Sequence, residues 1–384
     1  MHFEQYFPLG IVRGDAFVGR EDEAAWLNRN IQAGVHTLLS APRRYGKSSL
    51  VLYTLEHGHI GFIEIDLQLC RSAKAVEKKI IHGIEQIITQ TVKEKDKVLK
   101  LAQSFFQKSH KQWKIGLKGF VEVMIEPERY EDIANNILTA FQFLESVLKA
   151  EGKKIVFFID EIQEIHHLVE SLEIQGAIRH FAQKTSQIVF IFSGSNRRLL
   201  TQMFNNKNMP LYQLCDYMSL NKIPESIYID YLRKISKKTW NKVISNDVIS
   251  TILELSGRHP RRTYHLCLYL WRLIDESKKA PVIEDVKKSW EKLIKSELKA
   301  VRFFLSKKST SQLKILTYIA LNHHTELTGK DAQRTLNLSS TAISKALQQL
   351  EEDDLIEHED KAYTILDPLL KSVLSQYETE LIDP

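Results

Sequence analysis

"LLSAPRRYGKSSLVLYTL", residues 38–55, decides the fold. An apolar run ends at Ala41, the chain turns through Pro42 and Gly46, and a helically spaced segment follows. A phosphate loop reads G-x-x-x-x-G-K-[ST] between a strand and a helix. Gly46, Lys47 and Ser48 supply its second half, while Ala41 stands where the first glycine belongs. Such a loop curls backbone N–H groups around phosphate oxygens, and the helix N-terminus adds its dipole. Lys47 would reach the β- and γ-phosphates, and the Ser48 hydroxyl would bind Mg²⁺. Position 41 only starts the turn, so a small alanine can stand there, and Pro42 stiffens the entry. Arg43 and Arg44 either contact phosphate or a partner subunit, or are solvated side chains on an exposed turn.

Working outward, "VHTLLSA" (35–41), "GFIEIDLQL" (61–69), "KKIVFFIDE" (153–161) and "SQIVFIFSGS" (186–195) are short apolar runs of buried-strand type. Helical patterns separate them. Strands spaced by helices predict an α/β fold, a parallel sheet with helices on both faces. Asp160 and Glu161 then emerge at the C-terminal end of a buried strand, where ligands sit in open α/β sheets. Asp160 would orient Mg²⁺, and Glu161 would polarise an attacking water. The alternative is an N-cap pair that starts the next helix. "FIFSGSNRR" ends a further strand in Ser193, Ser195 and Asn196, polar groups able to contact a γ-phosphate or the water. Arg197 or Arg198 would act as an arginine finger, or simply begin a solvated helix. Asp66 would support the metal or cap its strand.

Residues 72–108 read as helical, with apolar positions at i, i+3 and i+4. "WKIGLKGFVEVMIEP" (113–127) reads as an inserted hairpin or a lid-like excursion, and "YEDIANNILTAFQFLESVLKAEG" as an amphipathic helix ending at Gly152. Residues 221–307 are successive helices broken at "SGRHPRR" (256–262). Residues 308–384 give three helices and two short strands, the pattern of a winged helix, with Thr328 capping one helix and Ser339 and Ser340 starting the next. The expected domains are therefore 1–220 (with the excursion at about 72–127), 221–307 and 308–384.

The recognition helix of that last segment offers Ser340, Thr341, Ser344, Lys345 and Gln348, with Lys330 and Arg334 before it. Acidic residues from Glu351 to Asp360 crowd its end, and they repel a phosphate backbone. A protein contact or autoinhibitory role competes with DNA binding here. Lysines interleaved with Phe105, Phe106 and Trp113 across 93–119 are a second nucleic-acid candidate; a solvated amphipathic helix over apolar core explains them too.

The net charge of +5 is too small to argue for nucleic acid by itself. Three cysteines without a CxxC pair suggest neither a disulfide framework nor a zinc site, and fit a reducing compartment. The start "MHFEQYFPLGIVRGD" lacks a signal-peptide pattern. No apolar run approaches the ~20 residues of a membrane helix. The expectation is a soluble cytoplasmic protein with no membrane partner.

Taken in order, "FVGREDE" (17–23), "APRRYGKSS" (41–49), "FFIDEIQEI" (157–165), "FIFSGSNRRLL" (191–200) and "SGRHPRR" (256–262) resemble the archaeal-type ATPases. That family belongs to the STAND-like branch of AAA+ P-loop NTPases, and the resemblance spans roughly residues 10–380. It implies ATP or ADP held by the loop residues Ala41, Pro42, Arg43, Arg44, Tyr45, Gly46, Lys47, Ser48 and Ser49. It places Val18, Gly19 and Arg20 beside the base. Gly257 and Pro260 match the lid motif, with Pro260 approaching the adenine; His259 would face the phosphates or cap its helix. The implied activity is Mg²⁺-dependent ATP hydrolysis by Lys47, Glu161, Ser195 and Arg197, with Ser48 and Asp160 at the metal. A switch or motor subunit with a protein partner or self-association follows from it. A nucleotide-dependent DNA-binding regulator and a nucleotide-locked scaffold are the alternatives.

Overall fold

The computed structural model describes residues 3–92, 95–108, 113–118, 122–127, 132–277, 279–321 and 323–377. The chain divides into two compact units. One comprises Asp22–Ala41 and Leu50–Leu220; the other comprises Met1–Glu21, Pro42–Ser49 and Asn221–Pro384.

Elements run α1 (Glu21–Ala33), β1 (Thr37–Ser40), α2 (Lys47–His57), β2 (Gly61–Asp66), α3 (Ala73–Thr91) and α4 (Lys95–Lys108). Next come β3 (Trp113–Lys118), β4 (Glu122–Pro127), α5 (Ile133–Ala150), β5 (Ile155–Asp160), a 3-10 turn (Ile162–His167) and α6 (Ser171–Ala182). Then follow β6 (Ile188–Gly194), α7 (Arg197–Asn205) and β7 (Asp216–Ser219).

Five of these strands form a parallel sheet in the order β2-β5-β6-β1-β7. Ile155, Phe157 and Ile159 of β5 and Ile188, Phe190 and Phe192 of β6 point into a core shared with α3, α5 and α6. The alternate residues Val156, Phe158, Val189 and Ile191 are buried as well. Successive side chains of a strand point to opposite faces, so both faces of the sheet are covered. That is why these two strands are apolar at every step before their C-terminal ends, and why their sequences announced them.

β7 had no such signal. Its Asp216, Tyr217 and Ser219 are exposed, and it pairs on one side only, with β1. Backbone hydrogen bonds hold it: Asp216 N–H donates to His36 O and Leu220 N–H to Ser40 O. The helical stretch 72–108 proves to be two helices, α3 and α4. β3 and β4 pair antiparallel from Trp113↔Pro127 to Lys118↔Glu122, as the excursion at 113–127 predicts.

Phe106 and Trp113 are buried and stacked, centroids 4.9 Å apart, and Phe105 and Phe106 both pack on Phe143. Phe106 and Trp113 are core and offer no face for single-stranded bases to stack on, and Phe105 is half-buried against Phe106. Of the lysines interleaved with them, Lys97 and Lys100 are exposed on α4; Lys93 and Lys111 lie outside the described residues.

In the second unit the helices are α8 (Glu225–Trp240), α9 (Asn246–Leu255), α10 (Pro260–Ser277), α11 (Ile283–Leu305), α12 (Thr310–Ala320), α13 (Lys330–Leu336) and α14 (Ser340–Glu352). The hairpin β8 (Ile356–Glu359) and β9 (Ala362–Ile365) and helix α15 (Pro368–Gln376) follow. Phe7 inserts among Tyr231, Tyr264 and Trp271, all edge-on to it. Tyr231 Oη donates to Tyr6 O and Tyr264 Oη to Ala16 O, which ties the N-terminal segment to α8 and α10.

A separate core of Ile315, Ile343, Leu347, Leu350, Ile356 and Leu374 joins α12, α14, β8 and α15. Ser339 caps α14, accepting from Ala342 N at 3.2 Å. Thr328 does not cap α13 as expected. The N-cap position is Gly329, and Thr328 lends only its carbonyl, which accepts from Gln333 Nε2.

Candidate nucleotide site

The loop 42–49 belongs to the second unit. Gly46 sits at φ +93°, with nothing within 4 Å of where a Cβ would be. That left-handed turn is glycine territory and opens the loop's surface at this point. Lys47 follows as the first residue of α2, buried, its Nζ 3.5 Å from Pro42 O. Ala41 and Pro42 are buried, Ser48 is half-buried, and Arg43 and Arg44 are exposed. Arg43 N–H donates to Asp354 Oδ2 at 3.2 Å, so the start of the loop faces a carboxylate from beyond α14. Tyr45 is buried against the His259 ring. The Ser49 hydroxyl accepts from Val12 N–H at 3.0 Å, so it anchors the N-terminal segment.

Residues expected beside the base are fixed tightly. Arg20 is buried and donates to Asn221 O. Gly19 has φ +68°, and a Cβ there would stand 2.7 Å from Ile223 Cγ2. Val18 packs on the same cluster as Ile223 and Tyr228. Pro260 opens α10. His259, just before it, is buried, and its Nδ1 faces Arg262 N–H at 3.4 Å, a helix-capping arrangement. Burial lowers its pKa to about 4, so the ring is neutral and able to accept.

The first unit holds the carboxylates. Asp160 closes β5, and its Oδ1 accepts from Glu161 N–H at 3.0 Å and from Ser193 Oγ. Glu161 adopts φ +54°, ψ +47° and makes no side-chain cap to the turn that follows, which removes the capping alternative for it. Its Oε2 accepts instead from Ser195 N–H at 3.2 Å and Ser195 Oγ at 3.0 Å. Because β6 neighbours β5, the ends of the two strands bring Ser193 to Asp160 and Ser195 to Glu161. Asn196 is spent on capping α7, accepting from Leu199 N–H at 3.0 Å, and Arg197 is the first residue of that helix. Asp66 closes an Asx turn, its Oδ1 accepting from Gln68 N–H at 2.8 Å.

Sequence reasoning passed over Gln163. It is buried in the 3-10 turn, and its Nε2 donates to Glu161 Oε2. The available signal was Gly194, a glycine ending an apolar strand, which marks a close approach.

No family model and no curated protein matches this sequence. Solved structures do match its shape. A Walker-type ATPase of Pyrococcus abyssi is 21% identical, with 94% of this chain and 97% of that chain covered and a TM-score of 0.67. The ORC2 protein of Aeropyrum pernix, solved as ADPNP and ADP complexes, is 14% identical over 94% of each chain, with a TM-score of 0.52. The chain has the fold of a Walker-type AAA+ ATPase. Among the described residues no helix is long and apolar enough to cross a membrane.

Proposed function

We propose that the protein binds ATP and hydrolyses it to ADP and phosphate, slowly or when a partner stimulates it, as a STAND-like switch. The carrying observation is Gly46-Lys47-Ser48 at the passage from β1 to α2, with a left-handed glycine and a buried lysine. The loop amides and Lys47 would bind the phosphates. Val18, Gly19 and Arg20 would hold the base, with Pro260 approaching it. Glu161 would accept the proton of the attacking water, Ser195 would fix Glu161, and Arg197 would stabilise the developing charge.

Ser48 and Asp160 offer the hard oxygen donors that Mg²⁺ prefers, and Mg²⁺ needs only one or two side chains besides the phosphates. Among the described residues no three His, Cys, Asp or Glu side chains group to hold a metal. Held by Ser48 and Asp160, Mg²⁺ would supply positive charge that neutralises charge on the phosphates. In this reading 221–307 is the lid and 308–384 the winged helix, and both shift when ATP replaces ADP.

Lys47→Ala should abolish tight ATP binding, whereas Glu161→Gln should bind ATP without turnover. Unchanged ATP affinity in the lysine variant would refute the assignment. Light scattering with a non-hydrolysable analogue tests self-association.

A second reading, a nucleotide-dependent DNA-binding regulator, draws on the exposed Thr341, Ser344, Lys345 and Gln348 of α14 and Lys330 and Arg334 of α13. Fluorescence anisotropy on duplex DNA at rising salt discriminates it, since binding through phosphate contacts must weaken as salt rises.

A further inference from the structure

Three donors converge on one oxygen of Glu161. Ser195 N–H, Ser195 Oγ and Gln163 Nε2 all bond to Oε2, and none of them bonds to Oε1. Gln163 is 3% exposed, and its own Oε1 is buried without a hydrogen-bond partner. Packing alone does not explain an amide there, because a methionine would fill the volume without leaving a carbonyl unpaired. The bond to Glu161 does explain it. The chain also clears space for this amide: a Cβ at Gly194 would stand 2.1 Å from Gln163 Oε1 and 3.1 Å from its Cδ.

Resting on the ATPase reading above, we propose that Gln163 is the positioning residue of Glu161. With Ser195 it pins Oε2 and so presents Oε1 as the basic oxygen. In the step served, the water oxygen bonds to the γ-phosphorus and the bond to the β–γ bridging oxygen breaks. The water proton passes to Oε1. A carboxylate held in advance need not reorient as charge develops.

The test compares steady-state ATP hydrolysis, ATP affinity and thermal midpoint for Gln163→Met, Gln163→Ala, Gly194→Ala and the Gln163→Ala/Gly194→Ala pair. Gln163→Met keeps the volume and loses the donor. It should lower kcat by about 10- to 100-fold and leave KM within about twofold. Gly194→Ala should slow turnover similarly, because its methyl displaces the amide. The pair should be no slower than Gln163→Ala, because the methyl then meets only the terminal methyl of Leu200, at 3.0 Å, which a small side-chain shift relieves.

Wild-type kcat in Gln163→Met overturns the proposal. So does a Gly194→Ala loss that adds in full to that of Gln163→Ala, or a loss carried by KM. An unmodified protein with no turnover, with or without DNA, overturns the ATPase reading as well. Wild-type kcat in Gln163→Met beside an inactive Glu161→Gln removes only the role of Gln163.

Discussion

The ring of Tyr45, inside the phosphate loop, meets the ring of His259 edge-on, with centroids 5.0 Å apart and planes at 77°. Both side chains are buried, and they belong to the same unit. The loop is therefore seated on the start of α10 by an aromatic contact, a geometry in which a ring edge meets a ring face. Tyr45→Ala empties that seat and should cost about 3 kcal/mol of stability. Denaturant unfolding followed by circular dichroism checks it; an unchanged midpoint would mean that the loop is held elsewhere.

His259 makes the same unit sensitive to acid. Its pKa is lowered from 6.5 to about 4, chiefly by burial, with Arg262 and Arg44 lowering it further and Asp367 opposing. The unfolded chain thus takes up the proton first. The stability from keeping this ring neutral is fully present above pH 6.5 and is lost as pH falls toward 4. The loss is ~1.4 kcal/mol per pH unit at most for one group. His265, also lowered to about 4 mainly by burial, adds to it in the same window. Thermal midpoints measured from pH 7 to 4.5 should fall, and His259→Gln should flatten the dependence.

Arg262 joins α10 to the start of α15. It is buried and grips Asp367 with two bonds, Nε at 2.7 Å and Nη2 at 2.6 Å, and Glu297 with a third at 2.9 Å. Burial pushes the Asp367 carboxyl up, but the guanidinium outweighs it and holds the group below its ordinary value. Asp367→Asn keeps the cap on Leu369 N–H and removes the charge, leaving Arg262 short of an anion. A loss of about 3 kcal/mol is expected. Glu297→Gln should cost less, because Glu297 makes one bond to Arg262 and Asp367 two. Equal losses in the two variants would contradict this ranking.

The sheet was legible because β5 and β6 are apolar at every position before their C-terminal ends, a pattern a chain shows only when both faces are covered. The loop was legible because Gly46-Lys47-Ser48 follows one apolar strand and precedes a helix. β7 was not, because backbone pairing alone makes it a strand and its side chains keep no pattern. Gln163 was hidden for another reason: a buried amide in a turn obeys no periodicity, and its partner Gly194 lies on a different strand. The seating of Phe7 among Tyr231, Tyr264 and Trp271 joins segments far apart in sequence, where local spacing is silent. Arg43 and Arg44 carry exposed side chains, and the Arg43 amide meets a carboxylate that no local spacing announces.

That carboxylate gives the last prediction. Asp354, just beyond α14, accepts from Arg43 N–H at 3.2 Å. If loop amides bind phosphate, an anion at Arg43 competes with ATP for one of them. A single hydrogen bond of this kind is worth about 1 kcal/mol net, or roughly fivefold in a binding constant. Asp354→Ala should therefore tighten ATP binding by no more than about fivefold, and Asp354→Asn, which keeps an acceptor oxygen but no charge, should fall between. Titration of a fluorescent ATP analogue into the three proteins measures it. Weaker binding in Asp354→Ala would mean that the carboxylate shapes the loop for ATP instead of competing with it.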